Sequence, residues 1–127
     1  MPIAEANVGE GAGLLAVTVN STETVMAAYR RMKLYDVSQL PVMREGRIVG
    51  IVDEEDILVK VFDAPACFNE PVTAVMQNHL VTVPADAPHA QLMDIFRHGM
   101  VAIVMQGEEF LGLVTRIDLL NWLRRRL

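Results

Sequence analysis

Residues 47–58 read RIVGIVDEEDIL, and residues 109–120 read EFLGLVTRIDLL. Each stretch is an apolar run with one glycine in its middle, followed by four residues that end in Asp and then by another apolar run. In both stretches the apolar run that contains the glycine is typical of a buried strand. The glycine in each of these runs indicates that a neighbouring backbone approaches closely. Because the same pattern occurs twice, the fold is expected to contain two similar units.

The repeat extends toward the start of each half. Val17-Thr18-Val19 is matched 64 residues later by Val81-Thr82-Val83, and Pro41-Val42-Met43 is matched 62 residues later by Ile103-Val104-Met105. Two copies are too few for a solenoid, so we expect a mixed α/β (α+β) fold of two βαββα units packed with pseudo-two-fold symmetry and with ligand-binding clefts between them. The predicted boundaries are a linker at 1–14, a first motif at 15–62, a connecting loop at 63–70 and a second motif at 71–127.

Local signals predict where the helices and hairpins begin. In the first half, Asn20 followed three residues later by Glu23 is typical of a helix start. In the second half, Asp86 is the expected cap, with Pro88 in the first helical turn. Tight turns are expected at Glu45-Gly46 and across 106–109, and each should join two strands as a hairpin.

Composition narrows the class of protein. The 127 residues are 52 % hydrophobic with a net charge of −5. No apolar run approaches the ~20 residues needed to cross a bilayer, so no membrane contact is expected and the surplus apolar surface should form a core or a subunit interface. The only basic cluster, Arg124-Arg125-Arg126, suits a helix C-terminus and not nucleic acid. The single Cys67 is expected to be a buried thiol in the reducing cytoplasm.

The pattern does not favour an enzyme. The two lysines, Lys33 and Lys60, have no glycine-rich phosphate loop beside them, and the three histidines lack metal-ligand spacing. We therefore expect neither a catalytic residue nor a bound metal. The run from Asp53 to Asp56 is better explained as a solvated helix start than as a cation site. Thr115-x-x-Asp118 is a capping-box pattern, and its carboxylate could equally accept hydrogen bonds from vicinal ribose hydroxyls.

The doubled pattern of apolar-Pro-Val, turn, Gly-apolar-Val, two residues and Asp-apolar-Leu resembles a tandem pair of CBS motifs, the Bateman module. The resemblance implies a non-catalytic regulatory module that binds an adenosyl ligand in a cleft, forms homodimers and controls an attached enzyme or channel. It implies one site made by nine residues of both motifs: Thr18, Val37, Ser38, Gln39, Leu40, Pro41, Thr115, Ile117 and Asp118.

The final helix sequence, residues 115–123, is similar to the end of the regulatory region of cystathionine β-synthase. This narrower resemblance implies a C-terminal regulatory region of a bacterial enzyme of that family, S-adenosylmethionine as the ligand, and a partner catalytic domain that uses pyridoxal phosphate. Two alternatives stay open: an AMP- or ATP-sensing pair from another host protein, and a dimerisation module that binds no ligand.

The second cleft is expected to be incompetent. Asp53 stands where the other half has Thr115, and Glu54, Glu55 and Asp56 follow it, so four carboxylates would repel an anionic ligand. Gly99 and Met100 replace Val37 and Ser38 on the opposing stretch. The sequence therefore predicts one ligand per chain.

Overall fold

The computed structural model describes residues 17–126, which divide into two compact units, here called the first unit (Val17–Leu80) and the second unit (from Val81). The first unit contains β1 (Val19–Asn20), α1 (Val25–Tyr35), β2 (Gln39–Arg44), β3 (Arg47–Asp53), α2 (Glu54–Asp63) and two short 3-10 turns, Pro65–Asn69 and Val72–Ala74. The second unit contains β4 (Thr82–Pro84), α3 (Ala90–Arg97), β5 (Ala102–Gln106), β6 (Glu109–Val114) and α4 (Arg116–Arg125). The predicted βαββα order is confirmed in both halves.

Each unit holds a three-stranded sheet with the same topology. In the first unit the order is β1-β2-β3, with β1 parallel to β2 and β2 antiparallel to β3. In the second unit the order is β4-β5-β6, with the same directions. The predicted hairpin turn at Glu45-Gly46 is present, and both residues have positive φ, 50° and 78°. That backbone suits a two-residue hairpin because its twist matches the twist of the strands.

The two sheets also share an irregularity at equivalent places. Between β2 and β3 the register shifts so that Val42 pairs with Gly50 and Met43 with Ile48. Between β5 and β6 it shifts so that Val104 pairs with Gly112 and Met105 with Phe110. One extra residue therefore bulges from each strand beside the repeated glycine, which bends the strand locally.

The helices begin later than the sequence predicts. The Asn20 side chain accepts a hydrogen bond from the Thr22 N–H at 3.0 Å, which closes a turn, and Thr24 is the cap because its Oγ1 accepts from the Ala27 N–H at 3.1 Å. In the second unit the prediction that Asp86 caps the helix is wrong: His89 is the residue before α3, and Pro88 lies outside the helix. α3 has 8 residues where α1 has 11, while the second repeat is two residues shorter over this stretch, so the segments that flank α3 are together one residue longer.

Each unit packs its own apolar core. The first core includes Leu40, Val42 and Val52, all fully buried, and the buried Cys67, as predicted for a structural thiol. Val72 and Val75 also belong to the first core, although the repeat placed residues 71–80 at the start of the second motif. The second core is built from eight buried residues: Val83, Ala87, Leu92, Phe96, Ala102, Val104, Val114 and Leu119. In the part of the chain that the structure describes, no helix is long and apolar enough to span a membrane.

Gly50 lies against the segment that follows the second 3-10 turn, as its sequence position predicted. A Cβ at Gly50 would lie 2.6 Å from Met76 Sδ and 2.9 Å from the Gln77 carbonyl oxygen. This segment is tied to β3, because the backbones of Ile51 and Gln77 exchange hydrogen bonds at 2.8 and 3.0 Å. The absence of a side chain at Gly50 therefore lets residues 76–77 cover the strand.

Substitution Gly50→Ala should lower the free energy of unfolding by about 1–3 kcal/mol, because the added methyl group overpacks this contact. Denaturant unfolding measures the loss, and amide hydrogen exchange should quicken at Ile51 and Gln77. Gly46→Ala is the control, since it strains a positive φ but its Cβ meets nothing within 4 Å. Unchanged exchange at Ile51 and Gln77 in the Gly50→Ala variant would contradict this account of the contact.

Candidate functional site

The second unit presents a carboxylate at the start of α4. Thr115 is the residue before the helix, and both its N–H and its hydroxyl donate to Asp118 Oδ2, at 2.9 and 3.1 Å. Both side chains are half-buried. One carboxylate oxygen therefore fixes the strand-to-helix junction, while no hydrogen bond within residues 17–126 occupies the other oxygen, Oδ1. The capping role and an open acceptor coexist on Asp118.

The equivalent carboxylate in the first unit is occupied. Asp56 Oδ2 accepts from the Asp53 N–H at 3.1 Å, as Asp118 does from Thr115. The Gln77 side-chain amide, however, donates to both oxygens of Asp56, at 3.0 and 3.1 Å. Gln77 lies 21 residues from Asp56 along the chain and carries no motif, so the sequence does not reveal this contact. The two repeated aspartates thus differ in what they leave free for a ligand.

The acidic run of the first unit is a helix start, as predicted. Asp53 Oδ1 accepts from the Asp56 N–H at 2.7 Å, which completes the reciprocal capping of α2. Partial burial raises the pKa of Asp53, and the neighbouring carboxylates of Asp56 and Glu55 contribute to the rise. Within residues 17–126 no group of three or more His, Cys, Asp or Glu side chains could hold a metal ion.

The predicted residues before and within β2 expose mostly backbone and small polar groups. Ser38 is exposed, and its carbonyl accepts the Glu54 N–H at 3.0 Å, while its hydroxyl donates to Gln39 Oε1 at 3.1 Å. Val37 is half-buried, and its N–H donates to the Met32 carbonyl at 3.0 Å. Leu40 and Pro41 are fully buried, backbone included, in the central strand of the sheet, so neither residue presents a surface to a ligand.

Thr18 is held by an ion pair that the sequence analysis did not identify. Arg31 on α1 donates to the Thr18 carbonyl at 2.9 Å and forms a two-point pair with Glu23, at 2.7 and 3.0 Å. Two-point Arg–carboxylate pairs fix orientation as well as charge. The strand end that carries Thr18 is therefore positioned by α1.

The remaining predicted residue, Ile117, lies in the first turn of α4 with 60 % of its side chain exposed. Of the nine predicted residues, the first unit holds Thr18 and 37–41, and the second unit holds Thr115, Ile117 and Asp118.

A separate apolar groove of about 530 Å³ lies in the first unit between α1 and α2. Tyr29, Val37, Leu58, Val61 and Phe68 are among its lining residues. Lys33, Asp36, Glu54 and Glu55 add charges to the lining. The groove therefore combines an apolar floor with polar groups from both helices.

The family comparison agrees with the repeat in the structure. The CBS domain model matches the chain twice, over residues 16–63 and 72–125. The chain belongs to the CBS-domain family. Its resemblance to a tandem CBS pair and its mixed α/β fold are thereby confirmed. CBS pairs are regulatory modules that often bind adenosine ligands, typically form dimers and sit in larger host proteins.

Two curated relatives illustrate the range of hosts. Cystathionine beta-synthase of Dictyostelium discoideum is 27 % identical over 115 residues, which cover 86 % of this chain and 23 % of the relative. The A-adding tRNA nucleotidyltransferase of Geobacter sulfurreducens is 26 % identical over 109 residues, which cover 84 % of this chain and 12 % of the relative. The CBS pair thus spans less than a quarter of the length of either protein.

Solved CBS structures show the same fold. A protein with CBS domains from Burkholderia ambifaria superposes with a TM-score of 0.86 at 23 % identity, covering 97 % of this chain and 93 % of that one. A CBS-domain containing protein from Agrobacterium tumefaciens superposes with a TM-score of 0.84 at 19 % identity, covering both chains completely.

The ion pair that holds Thr18 predicts a pH dependence of stability. The Arg31 guanidinium, aided by the Asn20 N–H, lowers the pKa of Glu23 below its usual value. Because the folded-state pKa is the lower one, the stabilisation is complete above the ordinary glutamate pKa of about 4.3 and is lost as pH falls through the folded-state value.

Glu23→Gln should therefore cost about 0.5–1 kcal/mol at pH 7, a small value because both side chains are about one-third exposed. Urea unfolding at pH 7 and pH 3 measures the difference between wild type and variant, which should shrink at the lower pH. An equal difference at both pH values would show that the charge of Glu23 does not contribute.

Proposed function

We propose that this CBS pair is a regulatory sensor of an adenosyl compound, and that Asp118 is the anchor for its ribose. The observation that carries the proposal is the Asp118 carboxylate, whose Oδ2 is fixed by Thr115 and whose Oδ1 accepts no hydrogen bond from residues 17–126. A preoriented carboxylate can accept from a ribose hydroxyl without first losing an internal partner, and hydrogen bonds to a charged acceptor are the strong ones.

The other predicted residues would complete the site. The backbone around Ser38 and Gln39 offers polar groups for a purine edge, and the half-buried Val37 and exposed Ile117 offer apolar surface for a purine face. The Thr115 hydroxyl and Thr18 are the remaining predicted contacts, while the fully buried Leu40 and Pro41 would position β2 without touching the ligand. The support for this set is the family resemblance and the exposure of the side chains named.

We infer that S-adenosylmethionine is the ligand, since the surroundings favour a cation over a phosphate. Arg97 is paired with Asp94 at 3.6 Å, and the His98 Nδ1 lies 2.7 Å from the Asp94 carbonyl oxygen. Both cationic candidates for a phosphate are thus engaged on their own helix, leaving Arg116 beside the site. A sulfonium ligand also suits the net charge of −5. AMP or ATP is the second candidate, and Arg116 is the feature that favours it.

The host that we propose is a cystathionine β-synthase in the cytoplasm, in which this pair is the C-terminal regulatory region and a separate domain carries pyridoxal phosphate. The support is the similarity to the Dictyostelium enzyme and the helix sequence of residues 115–123.

We further propose that the chain forms a homodimer, because both helices that follow the hairpins expose large apolar side chains. If no adenosyl compound binds at millimolar concentration, a ligand-free dimerisation module becomes the better function.

Replacement Asp118→Asn should weaken S-adenosylmethionine binding by about 10- to 100-fold, the equivalent of ~1.5–3 kcal/mol for a charged hydrogen bond. The asparagine oxygen can still accept from the Thr115 N–H, so the helix start is retained. Isothermal titration calorimetry with S-adenosylmethionine, AMP and ATP measures the affinities. Asp56→Asn is the matched control in the other repeat, and this variant should bind S-adenosylmethionine with the affinity of wild type. Equal binding by wild type and Asp118→Asn would remove Asp118 from the site.

The same titrations should reach saturation at one ligand per chain. The Asp56 carboxylate is occupied by Gln77, and Glu54 and Glu55 add charge beside it, so the first repeat cannot offer an equivalent anchor. Saturation at two ligands of similar affinity would contradict this, as would a ligand-bound structure with the ribose on Asp56.

A further inference from the structure

The exposed face of α2 is apolar in its middle, and most of the acidic residues of this helix lie in its first turn. Leu58, Val59 and Phe62 are 61 %, 59 % and 81 % exposed, and their spacing places them on one side of the helix. Glu54, Glu55 and Asp56 stand in the first turn, and Asp63 ends the helix. With Lys60 as its single basic residue, α2 carries a net charge of −3.

The exposed face of α4 has the same apolar middle with the opposite charge. Ile117, Leu120 and Leu123 are 60 %, 60 % and 49 % exposed. Arg116 opens the helix, and Arg124 and Arg125 close it. With Asp118 as its single acid, α4 carries a net charge of +2. The two helices are equivalent in the repeat, yet their charges are complementary.

We propose that the homodimer is crossed, with α2 of each copy packed against α4 of its partner. The inference rests on the proposed homodimer and adds which helix meets which. Pairing like helices would set −3 against −3 and +2 against +2, whereas crossed pairing sets −3 against +2 twice. Juxtaposed like charges cost free energy and opposite charges fix register, so the charges select the crossed arrangement.

The charges favour antiparallel packing of the two helices. The first turn of α2 holds three acids, whereas Lys60 offsets Asp63 in its last turn. Asp118 offsets Arg116 in the first turn of α4, whereas the last turn holds Arg124 and Arg125. Antiparallel packing therefore sets the acidic end of α2 against the basic end of α4. The apolar groove beside α2, lined by Leu58, Val61 and Phe68, is of a size to take leucine side chains from the partner's α4 face. The occupant of this surface is therefore a second copy of the chain.

Two balanced double variants test the arrangement by sedimentation equilibrium at low salt. Glu55→Arg with Asp63→Arg, and Arg116→Glu with Arg124→Glu, each reverse one charge at both ends of a helix and leave every apolar side chain and cap in place. Wild type should dimerise at tens of micromolar or below, and each double variant should raise the dissociation constant by about tenfold or more.

The quadruple variant should return the dissociation constant to within a few-fold of wild type, because both crossed contacts regain opposite charges. A mixture of the two double variants should likewise form a heterodimer. Asp86→Arg with Glu109→Arg is the control for Glu55→Arg with Asp63→Arg, since it changes net charge by the same amount at exposed positions outside both helices and should have little effect. Circular dichroism checks that every variant folds.

The outcomes separate the two proposals. A wild type that stays monomeric at about 100 μM, where a dimer with a micromolar Kd would be mostly formed, would reject the homodimer itself. A wild-type dimer with double variants that bind equally or more tightly, and a quadruple variant that gains nothing, would reject only the crossed arrangement and favour pairing of like helices.

Discussion

The hydrogen bond from the residue before the helix to the carboxylate three positions on is the interaction on which the rest of the structure depends. It occurs at the same place in both repeats, from the Asp53 N–H to Asp56 and from the Thr115 N–H to Asp118. In each unit it ends the last strand and aims the following helix. A carboxylate has two oxygens, and this junction needs only one of them. The neighbouring residues therefore determine whether the second oxygen already has a hydrogen-bond donor.

The repeats diverge at that second oxygen. In the first unit the bulge beside Gly50 and the missing side chain let residues 76–77 approach β3, and the same approach delivers the Gln77 amide to Asp56. The close backbone approach at Gly50 and the hydrogen bonds from Gln77 to Asp56 therefore depend on the same placement of residues 76–77. In the second unit Asp118 keeps an open acceptor, and Thr115 in place of Asp53 removes a charge that burial and neighbouring acids make unfavourable. The repeated aspartates therefore have different hydrogen-bond partners in the two units.

The sequence predicted what is local and repeated, and missed what is long-range. The βαββα order, the hairpins and the capping carboxylates Asp56 and Asp118 follow from periodicity and short spacing, and the structure has them; Asp86, also predicted as a cap, lies outside α3. The first helix begins at Val25 and not near Asn20 because Asn20 and Thr24 are both competent caps, and the Asn20 side chain is used in a turn. Contacts such as Gln77 with Asp56 and Arg31 with Thr18 join distant positions that carry no motif. The proposed ligand contacts of the nine site residues remain predictions, and burial leaves Leu40 and Pro41 no surface for a direct contact.

The helix α4 joins the two proposals physically. Its first turn carries Asp118, the proposed ribose anchor, and the same helix presents Leu120 and Arg124 to the proposed partner. A helix is stiff along its axis, so a ligand that shifts its N-terminus must also shift the face that meets the second copy. By linkage, a ligand that favours one placement of α4 changes the free energy of dimerisation, and dimerisation changes ligand affinity by the same factor. A regulatory module needs that coupling, and here ten residues of one helix would supply it.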